Sequence, residues 1–158
     1  MFTCEIEGLE ELERDWRDAQ GALADGCTKG VKRGVTEGAA QARASHPYQD
    51  RSHALTDSIQ GRLERSAART AGGEASGVIV AGARHASFVE GGTAPHDIEA
   101  KGKALHWEGA DGEHFAKRVH HPGSPAMPFM GPAALKAERV MTVEVELAEQ
   151  RAAEIMAR

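Results

Sequence analysis

Arg84-His85-Ala86-Ser87-Phe88-Val89-Glu90-Gly91-Gly92-Thr93 opens the stretch that decides the fold. His121-Pro122-Gly123-Ser124-Pro125-Ala126-Met127-Pro128-Phe129-Met130-Gly131-Pro132-Ala133 closes it. Between Arg84 and Pro132 lie five of the six prolines and six of the eight histidines. The first piece can form one or two helical turns, with Ala86, Phe88 and Val89 as its apolar contacts, until Gly91-Gly92-Thr93-Ala94-Pro95 ends it. His96 to Lys103 is polar and reads as a mobile loop. Ala104 to Glu108 reads as a strand, Gly109 to Gly112 as a turn, and His114 to His120 as the return strand. His121 to Pro132 must cross the surface without regular hydrogen bonding, because each proline removes a donor.

Outward from this stretch the chain is mostly helical. Downstream, Pro132 suits a first helical position, and Ala137, Met141, Val145, Ala148, Ala152 and Ile155 recur at three- and four-residue steps. That narrow seam predicts a C-terminal helix over 132–157. Upstream, Ser76-Gly77-Val78-Ile79-Val80-Ala81-Gly82 is the strongest strand, since β-branched residues fit a pleated sheet. Ser58 to Arg65 alternates, with Ile59, Gly61 and Leu63 on the inner side. The two runs pair as a hairpin around Ala71-Gly72-Gly73. Asp50 to Ser58 is a polar connection. Leu9, Leu12, Trp16, Ala19, Leu23, Cys27, Val31, Val35 and Ala39 mark one face of a long helix over 8–44, acidic in its first turns. Ser45-His46-Pro47 ends it. Phe2 to Glu7 alternates as a short strand.

Gly26, Gly30, Gly34 and Gly38 fall every fourth residue along the long helix. Each costs a helix about 1 kcal/mol against alanine. Such a row is either a kink between two shorter helices or a close helix contact, within the subunit or across a subunit boundary.

The expected fold class is α+β: an antiparallel sheet of about four strands packed against the long N-terminal helix and the C-terminal helix, in one domain spanning 1–158. At 158 residues and 41% hydrophobic content the chain has the composition of a globular protein with one core. Aromatics are only 4%, so the core rests on aliphatic residues and alanine. A net charge of −5 does not favour free nucleic acid as a partner. Cys4 and Cys27 form neither a CxxC pair nor a disulfide framework. The first residues lack the basic and apolar regions of a signal peptide, and no run is long and apolar enough for a membrane span.

The histidines at 85, 96, 106, 114, 120 and 121, with Glu90, Asp97 and Glu108 nearby, are residue types that bind zinc. A small metal-dependent hydrolase or nuclease using residues 85–121 is therefore the alternative function. No HExxH occurs, and no histidine pair at helical spacing has a third ligand. Ser87 and Ser124 lack a nucleophile elbow, Cys27 reads as a buried core thiol, and no phosphate-binding glycine loop is present. Glu90 reads as a structural bond to the backbone of the glycine turn that follows it. The residues imply no catalytic group, no metal and no cofactor.

The wording of the central stretch resembles a phage tail-component family, variously called neck, head–tail joining or tail-completion proteins, typified by the tenth gene product of a lambda-like coliphage. His85 to Thr93 resembles the family's Tyr-Ala-x-x-Val-Glu-x-Gly-Thr, with His85 in place of the usual aromatic. Pro95 to Leu105 resembles the loop into the next strand. Phe115 to Gly123 and Met127 to Ala133 resemble the closing His-Pro-Gly and Pro-Phe-x-x-x-Ala motifs. Leu55-Thr56-Asp57-Ser58-Ile59 resembles the Leu-x-x-Ser-Ile strand start.

The resemblance implies a structural virion protein, not an enzyme, in the neck of a long-tailed phage or phage-derived particle. It implies a homo-oligomeric ring, often sixfold, on the head-proximal end of the tail, assembled in the bacterial host cytoplasm. Its partners would be other neck, connector and tail-tube proteins. Genomic DNA would pass through the lumen without sequence-specific binding, and no membrane is involved. The assembly residues it points to are Glu90, Gly92, Thr93, His96, His121, Pro122, Gly123, Pro128 and Phe129. A closed ring needs two different complementary patches on each subunit. The loop from Thr93 to Lys103, the proline-rich segment and the acidic first helix offer the surfaces. A monomeric, toxin-like or adaptor protein is a third reading.

Overall fold

The computed structural model describes residues 7–67 and 73–158. The strand expected from Phe2, with Cys4 on it, and most of the Ala71-Gly72-Gly73 turn lie outside the described residues.

Helix α1 spans Leu9–Ala44, 36 residues without interruption. Helix α4 spans Met130–Met156 and runs antiparallel to it. The glycine row is the contact between them. A Cβ built on Gly26 would stand 2.1 Å from the Ala148 Cβ, and one on Gly34 would stand 2.9 Å from the Ala137 carbonyl oxygen. One on Gly38 would stand 2.7 Å from the Ala133 carbonyl oxygen. The helix is therefore unbroken, and its glycines admit a neighbouring backbone of the same chain. Alanines at 133, 137, 148 and 152 complete the seam from α4, and all four are buried.

One residue of that seam is unlike the rest. Glu144 is only 3% exposed, and Lys29 Nζ lies 2.9 Å from one of its carboxylate oxygens while Arg33 hydrogen-bonds the other. The spacing Ala137, Met141, Val145, Ala148 hides it, because Glu144 sits beside Val145 on the same helical frame.

Strand β1 (Ile59–Arg65) pairs antiparallel with β2 (Ser76–Ala81), as the alternation in both predicts. This ribbon lies on α1. Gly61 allows it, since a Cβ there would sit 1.9 Å from the Val35 carbonyl oxygen. The polar connection before β1 contains a short helix, α2 (Ala54–Asp57), which turns Leu55 inward to 2% exposure. Leu55, Ile59 and Phe129 are the largest fully buried side chains. With Ala39, Ala42, Tyr48, Ala86 and Ala133 they form the core cluster. Tyr48 meets Phe129 edge-on, with ring centroids 5.3 Å apart.

The fold class is α+β. Among the described residues the strands form three separate two-stranded antiparallel sheets, where a single sheet of about four strands is expected. The difference arises at His96 to Lys103. The loop expected there begins with a strand, β3 (His96–Glu99), paired with β6 (Arg118–His121). Its polar content masks an alternation in which Ile98 faces Val119 across the ribbon and Asp97 faces His120. The expected return strand is consequently split. Strand β5 (Gly112–Ala116) pairs with β4 (Leu105–Gly109), and the remainder pairs with β3. Residues 100–104 bulge opposite Lys117, whose carbonyl accepts the Ala100 N–H at 2.9 Å.

Helix α4 begins two residues earlier than expected. Phe129 occupies the N-cap position, and Pro132 falls inside the first turn, where its missing N–H has no partner to lose. What draws the start back is a carboxylate from elsewhere in the chain.

Candidate functional site

Helix α3 (Ala86–Gly91) is short and follows the end of the β1–β2 ribbon. Ser58 ties the two together: its hydroxyl accepts the Ala83 N–H at 3.0 Å and donates to the Leu55 carbonyl at 2.7 Å. Ala86 is buried against the core, Val89 is half-buried, and Phe88 is 60% exposed. Glu90 leaves the last turn of α3 and reaches the start of α4. One carboxylate oxygen accepts the backbone N–H groups of Phe129 at 2.8 Å and Met130 at 3.1 Å. An anion there satisfies donors that have no intrahelical partner and faces the positive end of the helix. The structural bond expected of Glu90 thus goes to α4 and not to the glycine turn.

The proline-rich segment is fastened to α3 along its length. Met127 N–H donates to the Val89 carbonyl at 2.9 Å. Thr93 and Ser124 exchange backbone bonds at 2.9 and 3.1 Å, and the Thr93 hydroxyl accepts the Ser124 N–H at 2.9 Å. The segment therefore has a regular partner, where none is expected. Two glycines make this approach possible. Gly92 (φ 71°) and Gly123 (φ 88°) both occupy the left-handed region. A Cβ on Gly92 would stand 2.6 Å from the Ser124 carbonyl oxygen, and one on Gly123 2.3 Å from that of Thr93.

Beside this strap lies an open, mainly apolar groove of about 670 Å³, lined by Phe88, Thr93, His96, Ile98, His121 and Ser124 among others. His96 and His121 are register partners, with ring centroids 5.1 Å apart. Each ring is oriented by backbone. His96 Nδ1 donates to the Ala94 carbonyl at 2.9 Å, and His121 Nδ1 accepts the Gly123 N–H at 3.0 Å. The opposite face of the ribbon is charged. Arg118 and His120 both bind the Asp97 carboxylate, and the Arg118 guanidinium above all holds it below the ordinary carboxylate range.

The residues singled out in the sequence divide into four groups. Glu90, Gly92, Thr93, His121 and Gly123 are brought together in the strap, each engaged within the chain. His96, Pro122 and Pro128 are exposed. Phe129 is 0% exposed, so it belongs to the core of the subunit and not to an outer docking surface. Pro128 faces solvent, and the next residue turns in against Tyr48. Gly26, Gly30, Gly34 and Gly38 lie in the α1–α4 seam, away from the strap. Cys27 is only half-buried, not the fully buried thiol expected.

Apart from the His96–His121 pair, the histidines lie in separate places. His106 stacks on Phe115 at 4.7 Å, His114 on Trp107 at 5.3 Å, and His120 serves Asp97. Among the described residues no three His, Cys, Asp or Glu side chains converge to hold a metal ion. No helix among them is long and apolar enough to cross a membrane. Ile98 and Tyr48 escape the sequence reading. The alternation His96-Asp97-Ile98-Glu99 is the signal that marks Ile98, whereas nothing local marks Tyr48 as a core residue. Compared with known proteins, the chain matches no family model, no curated protein and no solved structure.

Proposed function

We propose that this chain is a structural assembly protein of a tailed phage or phage-derived particle. It forms a ring at the head-proximal end of the tail and joins head to tail. The observation that carries this reading is the interlock of the quoted motifs. Glu90, Gly92 and Thr93 of the first motif are bonded to, or closely packed on, the Ser124–Met130 segment of the last. The residues that make the wording distinctive are spent on holding a scaffold. Leu55, Ser58 and Ile59 of the upstream motif lie beneath the same unit. Motif residues used in this way suit a protein whose work is contact. Its partners are further copies of itself and the neck, connector and tail-tube proteins beside it, with DNA passing through the lumen.

Light scattering of the purified full chain over a range of concentrations, with electron microscopy of the product and co-sedimentation with tails, tests the proposal. Discrete rings, or monomers that add to tail ends, are the expected result. A chain that stays monomeric and ignores tails would overturn it. Stoichiometric zinc or manganese, lost on His96→Ala or His121→Ala, would replace it with the hydrolase reading.

A further inference from the structure

We infer that His121 is a proton-operated latch: its neutral ring holds the proline-rich strap closed on Thr93, and protonation of the ring lets the strap open. This goes beyond the ring reading and stands whatever the chain assembles with.

The latch follows from what each ring nitrogen can do. A backbone N–H can only donate, so the Gly123 N–H, 3.0 Å from His121 Nδ1, needs a lone pair there. His121 is therefore neutral in the closed strap, with its proton on Nε2. An imidazolium carries a proton on both nitrogens and would point one N–H at another. His96 is arranged the other way. The Ala94 carbonyl can only accept, so His96 Nδ1 carries a proton, and that bond survives when Nε2 takes a second. The two rings stack with centroids 5.1 Å apart, so a proton on each adds repulsion. His114 and His120 show the contrast: each meets a carboxylate, of Asp111 and Asp97, to which a protonated ring can still donate.

The surroundings sharpen the contrast. Alternation along β3 and β6 puts His96, Ile98, Val119 and His121 on one face of the ribbon and Asp97, Glu99, Arg118 and His120 on the other. Asp97 is engaged there by Arg118 and His120. From α3 the groove receives Phe88, while Glu90 is turned to the start of α4. His85 lines a neighbouring cavity with Thr93 and Ser124. Among the described residues that line the groove, His96 and His121 are the only titratable side chains.

The bond sits where the strap turns. Gly123 holds its left-handed conformation hard against Thr93, and the next residue, Ser124, makes the backbone exchange with Thr93. Release of the Gly123 N–H therefore loosens the Thr93–Ser124 bridge. It also moves one wall of the groove, because Ser124 lines it. The open strap takes up a proton that the closed strap excludes, so acidification favours opening by up to about tenfold per pH unit. The window is about pH 8 to 5, where imidazoles as a class gain their proton.

Two measurements on the full parent chain test the latch. Ring-nitrogen NMR at about pH 7.5 should find the His121 proton on Nε2 and the His96 proton on Nδ1. Amide exchange at Thr93 and Ser124, corrected for its intrinsic pH dependence, should quicken about tenfold or more between about pH 7.5 and 5.5. Variants then assign the response. His121→Asn keeps an acceptor near the Nδ1 position and does not titrate, so its strap should stay protected at both pH values. His121→Ala should exchange fast at both, and His96→Asn should keep most of the acid response. Circular dichroism checks that each variant folds, and the parent measurements need no variant. A His121 proton on Nδ1 at neutral pH, or strap protection that acid leaves unchanged in the parent, would overturn the latch. So would an acid response in His121→Asn equal to that of the parent.

Discussion

The Glu90 carboxylate accepts the backbone N–H of Phe129, across 39 residues of sequence, and so fixes where the last helix begins. The same oxygen also takes the Met130 N–H. No side-chain cap comes from the N-cap residue itself, because Phe129 has no acceptor to offer. The helix start thus depends on a group delivered by α3. Glu90→Ala should cost about 1–2 kcal/mol of unfolding free energy, the range of a lost cap or a lost bond to a charged group. Glu90→Gln, which keeps an acceptor without the charge, should cost less. Urea titration of the two variants measures both, and an unchanged midpoint for Glu90→Ala would show that the cap contributes nothing.

Glycines of α1 should respond to alanine with opposite signs. At Gly21 an added Cβ meets nothing within 4 Å, so Gly21→Ala should stabilise by up to about 1 kcal/mol through helix propensity. At Gly26 the Cβ would fall 2.1 Å from that of Ala148, and at Gly34 2.9 Å from a carbonyl oxygen. Gly26→Ala and Gly34→Ala should lose about 1–3 kcal/mol by forcing the helices apart. Gly30→Leu and Gly34→Leu should be worse still. Thermal melts of the variants decide the matter, and a uniform gain at all three positions would mean that the helices do not touch there.

How much of this was legible in the sequence follows from the range of the forces involved. The long helices show themselves through local periodicity, since each turn repeats the same burial. Strand pairing depends on partners remote in the chain, and Lys117 illustrates the limit. Phe115, Lys117 and Val119 alternate as one strand, yet the pairing partner changes at Lys117 and the ribbon divides. Glu90 can be recognised as structural from its context, but its partner at Phe129 lies too far along the chain to be read from local pattern. Phe129 itself misleads, because a proline-rich surface segment suggests an exposed aromatic. Only the contact with Tyr48 shows that it turns inward.

Phe129 and Pro128 should accordingly separate stability from surface function. Phe129→Ala empties a site that is 0% exposed and should cost about 3–5 kcal/mol, as large-to-small changes at buried aromatics do. Pro128 is exposed, so Pro128→Ala should change the unfolding free energy by about 0.5 kcal/mol or less. Guanidinium unfolding of each variant reads the contrast. Equal losses at the two positions would place Phe129 outside the core.

Glu144 makes the α1–α4 seam sensitive to acid. Its carboxyl is held below the ordinary glutamate range, first by the Lys29 ammonium and then by Arg33, even though its burial opposes ionisation. A group whose folded value is depressed stabilises the fold above its unfolded value and loses that contribution as pH falls through the folded one. Stability should therefore be fully present near neutral pH and decline on the acid side of the ordinary glutamate range, about pH 4.3. Glu144→Gln should be less stable than the parent near neutral pH, where Lys29 and Arg33 lose their common partner. The two proteins should draw together as the pH falls, because protonation removes the same charge from the parent. Lys29→Met should flatten the acid limb in the same direction, since Lys29 is the larger source of the depression. Unfolding free energies measured across the acid range for all three proteins provide the comparison. A parent–variant difference that stays constant with pH would mean that Glu144 does not titrate as part of folding.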